Sequence, residues 1–118
     1  MTADCCRPEG SYDLAVIGAG SAGFSAAITA AEQGARVALI GHGTIGGTCV
    51  NVGCVPSKTM IRATETLHNG NAERFAGIRA RAELADWTAV VAQKDDLVET
   101  LRQSKYLDQL DNYPDVAY

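Results

Sequence analysis

The sequence holds no apolar run approaching the roughly 18 residues that a membrane-spanning helix needs. It has no excess of basic residues either. Lys plus Arg number 10 against 14 Asp plus Glu, a formal charge of −4, which excludes the general electrostatic footprint of a nucleic-acid or anionic-lipid binder. The stretch Met1 to Gly10 lacks the apolar core of a secretory signal, so the cytoplasm is the expected compartment. No internal repeat and no low-complexity tract is visible. What is present suits a folded chain rather than a disordered one: 118 residues, 47% hydrophobic and 20% charged. Four cysteines stand out, grouped as Cys5-Cys6 and Cys49/Cys54. A secreted disulfide scaffold is usually shorter and richer in cysteine. In a cytosolic chain, close-set thiols point instead to redox chemistry or to metal.

The polar residues 1–11, with Pro8 and Gly10, read as a tail or linker, and 12–118 as one folded segment. Residues 12–17 (YDLAVI) form an apolar run that suits a buried strand. The Ala-rich, Pro-free stretch Ser21 to Gln33 predicts a helix, closed by Gly34. Arg36 to Ile40 predicts a second strand. Strand, helix and strand within about 30 residues make a right-handed βαβ unit and a parallel sheet, so the fold class is α/β, Rossmann-like. A glycine-rich loop, Gly41 to Gly47, leads into a cysteine-bearing loop. A helix from Pro56 to Leu67 is expected to end at Asn69-Gly70. Asp86 is placed to cap a long helix from Trp87 to about Leu110, whose apolar face is Trp87, Val90, Val91, Leu97, Val98 and Leu101. Val116 to Tyr118 resembles the opening of a third strand. Parallel sheets usually contain several strands covered on both faces, so this inventory gives an incomplete sheet and reads as the front part of a longer domain.

Gly18-Ala19-Gly20-Ser21-Ala22-Gly23 fits the pattern GxGxxG. The first glycine permits a tight turn, the second lets backbone approach a pyrophosphate, and the third lets helix and strand pack closely. The following helix N-terminus offers free N–H groups and partial positive charge to phosphate. The pattern alone is weak, and a purely structural glycine turn is the alternative. Its setting, after a strand and before a helix with a second strand on schedule, favours dinucleotide binding. One usual part is missing. The acidic residue that ends the second strand and holds a ribose hydroxyl is replaced by Gly41, followed by His42, and no Asp or Glu occurs between Glu32 and Glu65. His42 reads as a solvated loop histidine, with a substitute hydrogen bond to the ribose as the alternative, and His68 as a structural one.

Cys49 and Cys54 enclose Val50-Asn51-Val52-Gly53, beside a glycine loop and at the start of a helix. A helix N-terminus favours the thiolate, and Lys58 adds positive charge one turn on. From Gly34 to Ala63 the chain has Arg36, Lys58 and Arg62 and no carboxylate, a field that suits thiolates and phosphates alike. The pair reads as a redox couple. Two buried small hydrophobes, the alternative, explain neither the glycines nor the spacing. Structural zinc takes about four ligands, and no second Cys/His pair stands in a familiar arrangement.

The run Gly46-Gly-Thr-Cys-Val-Asn-Val-Gly-Cys-Val-Pro-Ser-Lys58 resembles the redox-active disulfide motif of the flavoprotein disulfide reductases. The wider run from Gly43 to Ala63, with Gln93 to Val98 and Lys105-Tyr106-Leu107, is most similar to that family's mercury-reducing branch. The resemblance covers Tyr12 to Tyr118, only the N-terminal part of the family's catalytic core. It implies that the glycine turn holds FAD, with Gly18, Gly20 and Gly23 at the pyrophosphate and Gly41, Gly43 and Thr48 at the cofactor. It implies that Cys54 is the charge-transfer thiolate, that Cys49 meets the substrate, and that Lys58 stands beside the flavin. It also implies a disulfide between the two cysteines, Hg(II) as their substrate, NADPH as reductant at a second site this sequence does not show, and a homodimeric full enzyme. The isolated 118 residues are expected to be inactive. A dihydrolipoamide dehydrogenase or related reductase is the alternative within the family, and a non-catalytic nucleotide- or metal-binding module the alternative outside it. Cys5 and Cys6 read as an incidental tail or as a metal-passing pair.

Overall fold

A computed structural model of the chain describes residues 10–118, so Cys5, Cys6 and most of the expected tail lie outside the described residues. Two compact units emerge. One holds the chain up to Gly47 together with Gln103–Tyr118, and the other is Thr48–Arg102.

The first unit is built on a three-stranded parallel sheet in the order β1-β2-β3, with β1 Leu14–Ile17, β2 Val37–Ile40 and β3 Val116–Ala117. Helix α1, Ser21–Glu32, is the crossover between β1 and β2. The apolar runs read as strands are strands, but β1, expected to be buried, is largely exposed; the short third run pairs as expected, with Val116 beside Val37. The register of β1 against β2 is fixed at their first residues. The Asp13 N–H donates to the Arg36 carbonyl at 2.8 Å, and the Arg36 N–H donates to the Asp13 carboxylate, also at 2.8 Å. This pairing sets Leu14 opposite Val37 and Ile17 opposite Ile40. The core is small: Phe24 and Ala27 from α1, Val37 and Leu39 from β2, Val116 from β3, and Tyr106. Each such side chain stabilises the fold by about 1.5–3 kcal/mol for the larger residues. Ile17 and Ile40 at the strand ends are exposed. Gly34 closes α1 at φ +86°, the positive angle expected of a helix-ending glycine.

The second unit contains helix α3, Cys54–Asn71, packed on α4, Trp87–Arg102. A short helix, α2 (Gly47–Asn51), stands where a loop was expected and carries Cys49. One further expectation is corrected and another refined. Asn69-Gly70 does not end the helix from Cys54: α3 runs through both to Asn71. Gly70 serves instead for close approach, since a Cβ there would stand 2.5 Å from that of Ala82. The Asn71 side chain donates to the Ala82 carbonyl at 2.8 Å and accepts from its N–H at 3.2 Å, holding the returning strand of chain. The long helix from Trp87 reaches Leu110 as expected, but it is not α-helical throughout. Gln103–Leu107 is a π-helical turn, followed by a short α5, Asp108–Leu110. Its start agrees with expectation, because the Asp86 carboxylate accepts from the Thr88 N–H at 2.8 Å. Of its predicted apolar face, Val98 is buried while Trp87 and Leu97 are exposed. None of the helices among the described residues is long and apolar enough to cross a membrane.

Candidate functional site

The glycine turn and the thiol pair fall in different units.

In the sheet unit, the turn between β1 and α1 is held by one bridge from outside. Gly20 pairs in parallel with Gly46, and the Gly46 N–H donates to the Ala19 carbonyl at 2.9 Å. The three glycines then differ in what they do. Gly18 sits at φ +112°, a conformation that a side chain rarely adopts. A Cβ on Gly23 would stand 1.8 Å from the Gly18 carbonyl oxygen, so Gly23 is required for packing. A Cβ on Gly20 would meet nothing closer than 3.7 Å, the distance to the Gly47 Cα, so its packing alone does not require glycine. What the bareness of Gly20 provides is access. Gly18, Ala19, Gly20, Gly41, His42 and Gly47 are among the residues lining a cavity of about 310 Å³.

The donor chemistry of this cavity fits a dinucleotide pyrophosphate. The first turn of α1 carries no acidic side chain, no side chain caps its N-terminus, and no carboxylate lines the cavity. Its free N–H groups are therefore available to an anion. Gly43 lies in the same loop at φ +80°, in open space, but is not part of the cavity lining. Gly23 stands behind the turn rather than in the cavity. Gly41 does line the cavity. Gly47 is a residue the sequence reading did not select. A Cβ there would stand 2.8 Å from the Gly20 Cα, so the loop can close on the turn only with glycine at 47. The doubled glycine Gly46-Gly47 was the available signal.

In the helical unit, Cys49 on α2 and Cys54 at the first position of α3 are brought together by the bend at Gly53. A Cβ on Gly53 would stand 2.9 Å from the Thr48 carbonyl oxygen, so the two helices can approach this closely only through glycine. Thr48, the other predicted cofactor contact, is exposed in this unit, and its carbonyl accepts from the Val52 N–H at 3.0 Å. Both cysteines are exposed free thiols. The Cys49 S–H donates to the Cys54 sulfur, and this bond, with lesser contributions from desolvation and from the Cys54 charge, holds the Cys49 thiol above its ordinary value. Two groups pull the other way: the Cys54 backbone N–H at the start of α3, which donates to the Cys49 sulfur, and the positive charge of Lys58. The helix terminus and the lysine thus act on Cys49 in the expected direction. They are outweighed by the neighbouring thiol, so the net effect on Cys49 is upward. Two neighbouring thiols can release two electrons and two protons to form a disulfide, or two protons alone to bind one soft metal ion.

A profile of the family described as pyridine nucleotide-disulphide oxidoreductase matches residues 12–112. Among curated proteins, a mercuric reductase of Lysinibacillus sphaericus is 50% identical over 105 residues, covering 89% of this chain and 19% of that protein. A mercuric reductase of Staphylococcus aureus is 52% identical over 107 residues, with the same 89% and 19% coverage. Among solved structures, the HOCl-induced flavoprotein disulfide reductase RclA from Escherichia coli aligns at a TM-score of 0.69 and 30% identity, over 90% of this chain and 21% of that one. Its Cu(II) complex aligns with a TM-score of 0.69 at the same identity. The chain therefore spans about a fifth of the length of the relatives it matches.

Proposed function

The chain belongs to the pyridine nucleotide-disulphide oxidoreductase family, and from that premise we propose that it is the N-terminal portion of a mercuric reductase. In this reading FAD is held at its pyrophosphate by the α1 N-terminus and by Gly18 and Gly20, and when bound it supplies two-electron chemistry. Cys49 and Cys54 are the thiols that exchange those electrons as a dithiol and a disulfide, and Lys58 balances negative charge close to them. In the dithiol form the two sulfurs take Hg(II): each S–H bond breaks, two Hg–S bonds form, and two protons are released. A soft ion prefers soft thiolates, and a pair already in contact needs little rearrangement to chelate it. NADPH as the source of electrons, a homodimeric full enzyme and a cytoplasmic location belong to the same proposal.

The observation that carries the reading is the placement of Cys49 on α2 and Cys54 at the start of α3, on either side of Gly53, inside a sequence about half identical to mercuric reductases. A dihydrolipoamide dehydrogenase shares the thiol chemistry, but the relatives named above favour mercury.

The test is paired and uses a Cys5→Ser/Cys6→Ser background so that only the loop thiols report. Hg(II) titration should give one ion per chain and release two protons, and Cys49→Ala/Cys54→Ala should abolish both. NADPH oxidation by the 118-residue chain should not respond to Hg(II), because the sequence shows one glycine turn and two dinucleotides need two sites. Equal Hg(II) uptake by the double alanine variant would remove the mercury assignment.

A further inference from the structure

The end of β2 is crowded from two sides, by Ala19 of the glycine turn and by Tyr118. Gly41 follows Ile40 directly and lines the cavity beside Ala19. A Cβ built on Gly41 would stand 2.7 Å from both Cε2 and Oη of Tyr118, and 2.9 Å from the Cβ of Ala19. The hydroxyl end of the Tyr118 ring therefore occupies the volume that a side chain at position 41 would enter. The strand register brings it there. Val116 and Ala117 pair with Val37 and Ala38 in parallel, so Tyr118 continues beside Leu39, and a strand side chain leans along its strand towards the next positions. About half of Tyr118 is exposed, and none of the described residues hydrogen-bonds its hydroxyl.

Position 41 is where a βαβ dinucleotide site ordinarily places the carboxylate that binds a ribose hydroxyl. Here the second strand offers no side chain at that point, and the third strand delivers a phenol to it. We propose that Tyr118 is the ribose-binding residue of this dinucleotide site, in place of the carboxylate absent at Gly41. The proposal rests on the dinucleotide reading above and deepens it. A phenol hydroxyl both donates and accepts, so it can satisfy a sugar hydroxyl in either sense. Gly41 is then explained as well. It is the residue that leaves room for the ring, and the glycine and the tyrosine form one unit of recognition drawn from two strands.

The test uses ADP, which carries the pyrophosphate and the adenosine ribose without the flavin, and inorganic pyrophosphate as a probe without a ribose. Binding to the 118-residue chain is followed by NMR titration, which also reports whether each variant is folded. The expected result is that Tyr118→Phe, which keeps the ring against Gly41, binds ADP roughly 2- to 10-fold more weakly, the loss of one uncharged hydrogen bond, with pyrophosphate binding unchanged. The wild-type chain should also prefer ADP to its 2′-deoxy or 3′-deoxy analogue, and the variant should lose that preference. Equal ADP binding by both proteins, with the deoxy preference intact in the variant, would overturn the role of Tyr118 and leave the dinucleotide site standing. Loss of pyrophosphate binding in Tyr118→Phe would overturn it too, by showing that the phenol supports the turn rather than the sugar. A wild-type chain that binds neither probe would overturn the proposal together with the reading beneath it.

Discussion

The hydroxyls of Ser21 and Tyr106 lie 2.9 Å apart, joining the first residue of α1 to a π-helical turn 85 residues away in sequence. Tyr106 is buried, and its ring meets that of Phe24 edge-on at 5.0 Å and 75°. One side chain thus secures both the polar start and the apolar underside of the helix that faces the glycine turn. Single-turn π-helices often mark functional positions, and here the widened turn is where the chain delivers Tyr106 into the core. Tyr106→Phe should lower stability by about 0.5–1.5 kcal/mol, the value of one hydrogen bond, while keeping the ring contact. Tyr106→Ala should cost about 3–5 kcal/mol through lost burial. Urea denaturation of the three proteins measures both. A Phe variant as unstable as the Ala variant would mean that the hydroxyl, not the ring, holds α1.

The glycines of the turn should separate under mutation. Gly23→Ala sets a methyl group 1.8 Å from the Gly18 carbonyl oxygen, which only a backbone shift can relieve, so it should destabilise the chain by about 3 kcal/mol or more. Gly20→Ala meets ordinary contact at 3.7 Å and should leave the chain folded, yet it should weaken pyrophosphate binding by closing the backbone's approach. Thermal unfolding together with a pyrophosphate titration of both variants checks this. Equal stability of the two would contradict the division of roles.

The thiols carry a pH prediction. Because the bond to Cys54 holds the Cys49 proton, Cys49 should ionise above the pH at which an ordinary thiol does, and its alkylation should remain slow near neutrality. Cys54→Ala removes the leading cause and should move the Cys49 midpoint down. Lys58→Met removes a charge that favours the thiolate and should move it up. Iodoacetamide labelling resolved by residue, as a function of pH, reads both directions. A Cys49 midpoint that does not fall in Cys54→Ala would show that the thiol contact does not govern it.

The sheet unit was legible because its signals are local. An apolar run before Gly18, an Ala-rich stretch closed by Gly34 and a second apolar run each specify their element within a few residues. The misreadings involve contacts that sequence spacing does not contain. Asn69-Gly70 has the composition of a helix end, yet Gly70 is there for Ala82, a partner 12 positions on. The π-helical turn follows from the need to bring Tyr106 onto Phe24 and Ser21, and no periodicity announces it. The cysteine spacing suggested the thiol pair, but which influence dominates at Cys49 depends on two sulfurs meeting across Gly53. Gly41 was noticed as a missing carboxylate, whereas the phenol that fills its place comes from a strand joined only in the folded sheet.

Cys49 and Cys54 should behave as one reversible two-electron couple. Mild oxidation of the chain, followed by peptide mass mapping, tests it most directly. The expected product is a single Cys49–Cys54 cross-linked peptide that a dithiol reductant returns to two free thiols. Recovery of Cys49 and Cys54 as free thiols under conditions that oxidise Cys5 and Cys6 would contradict it.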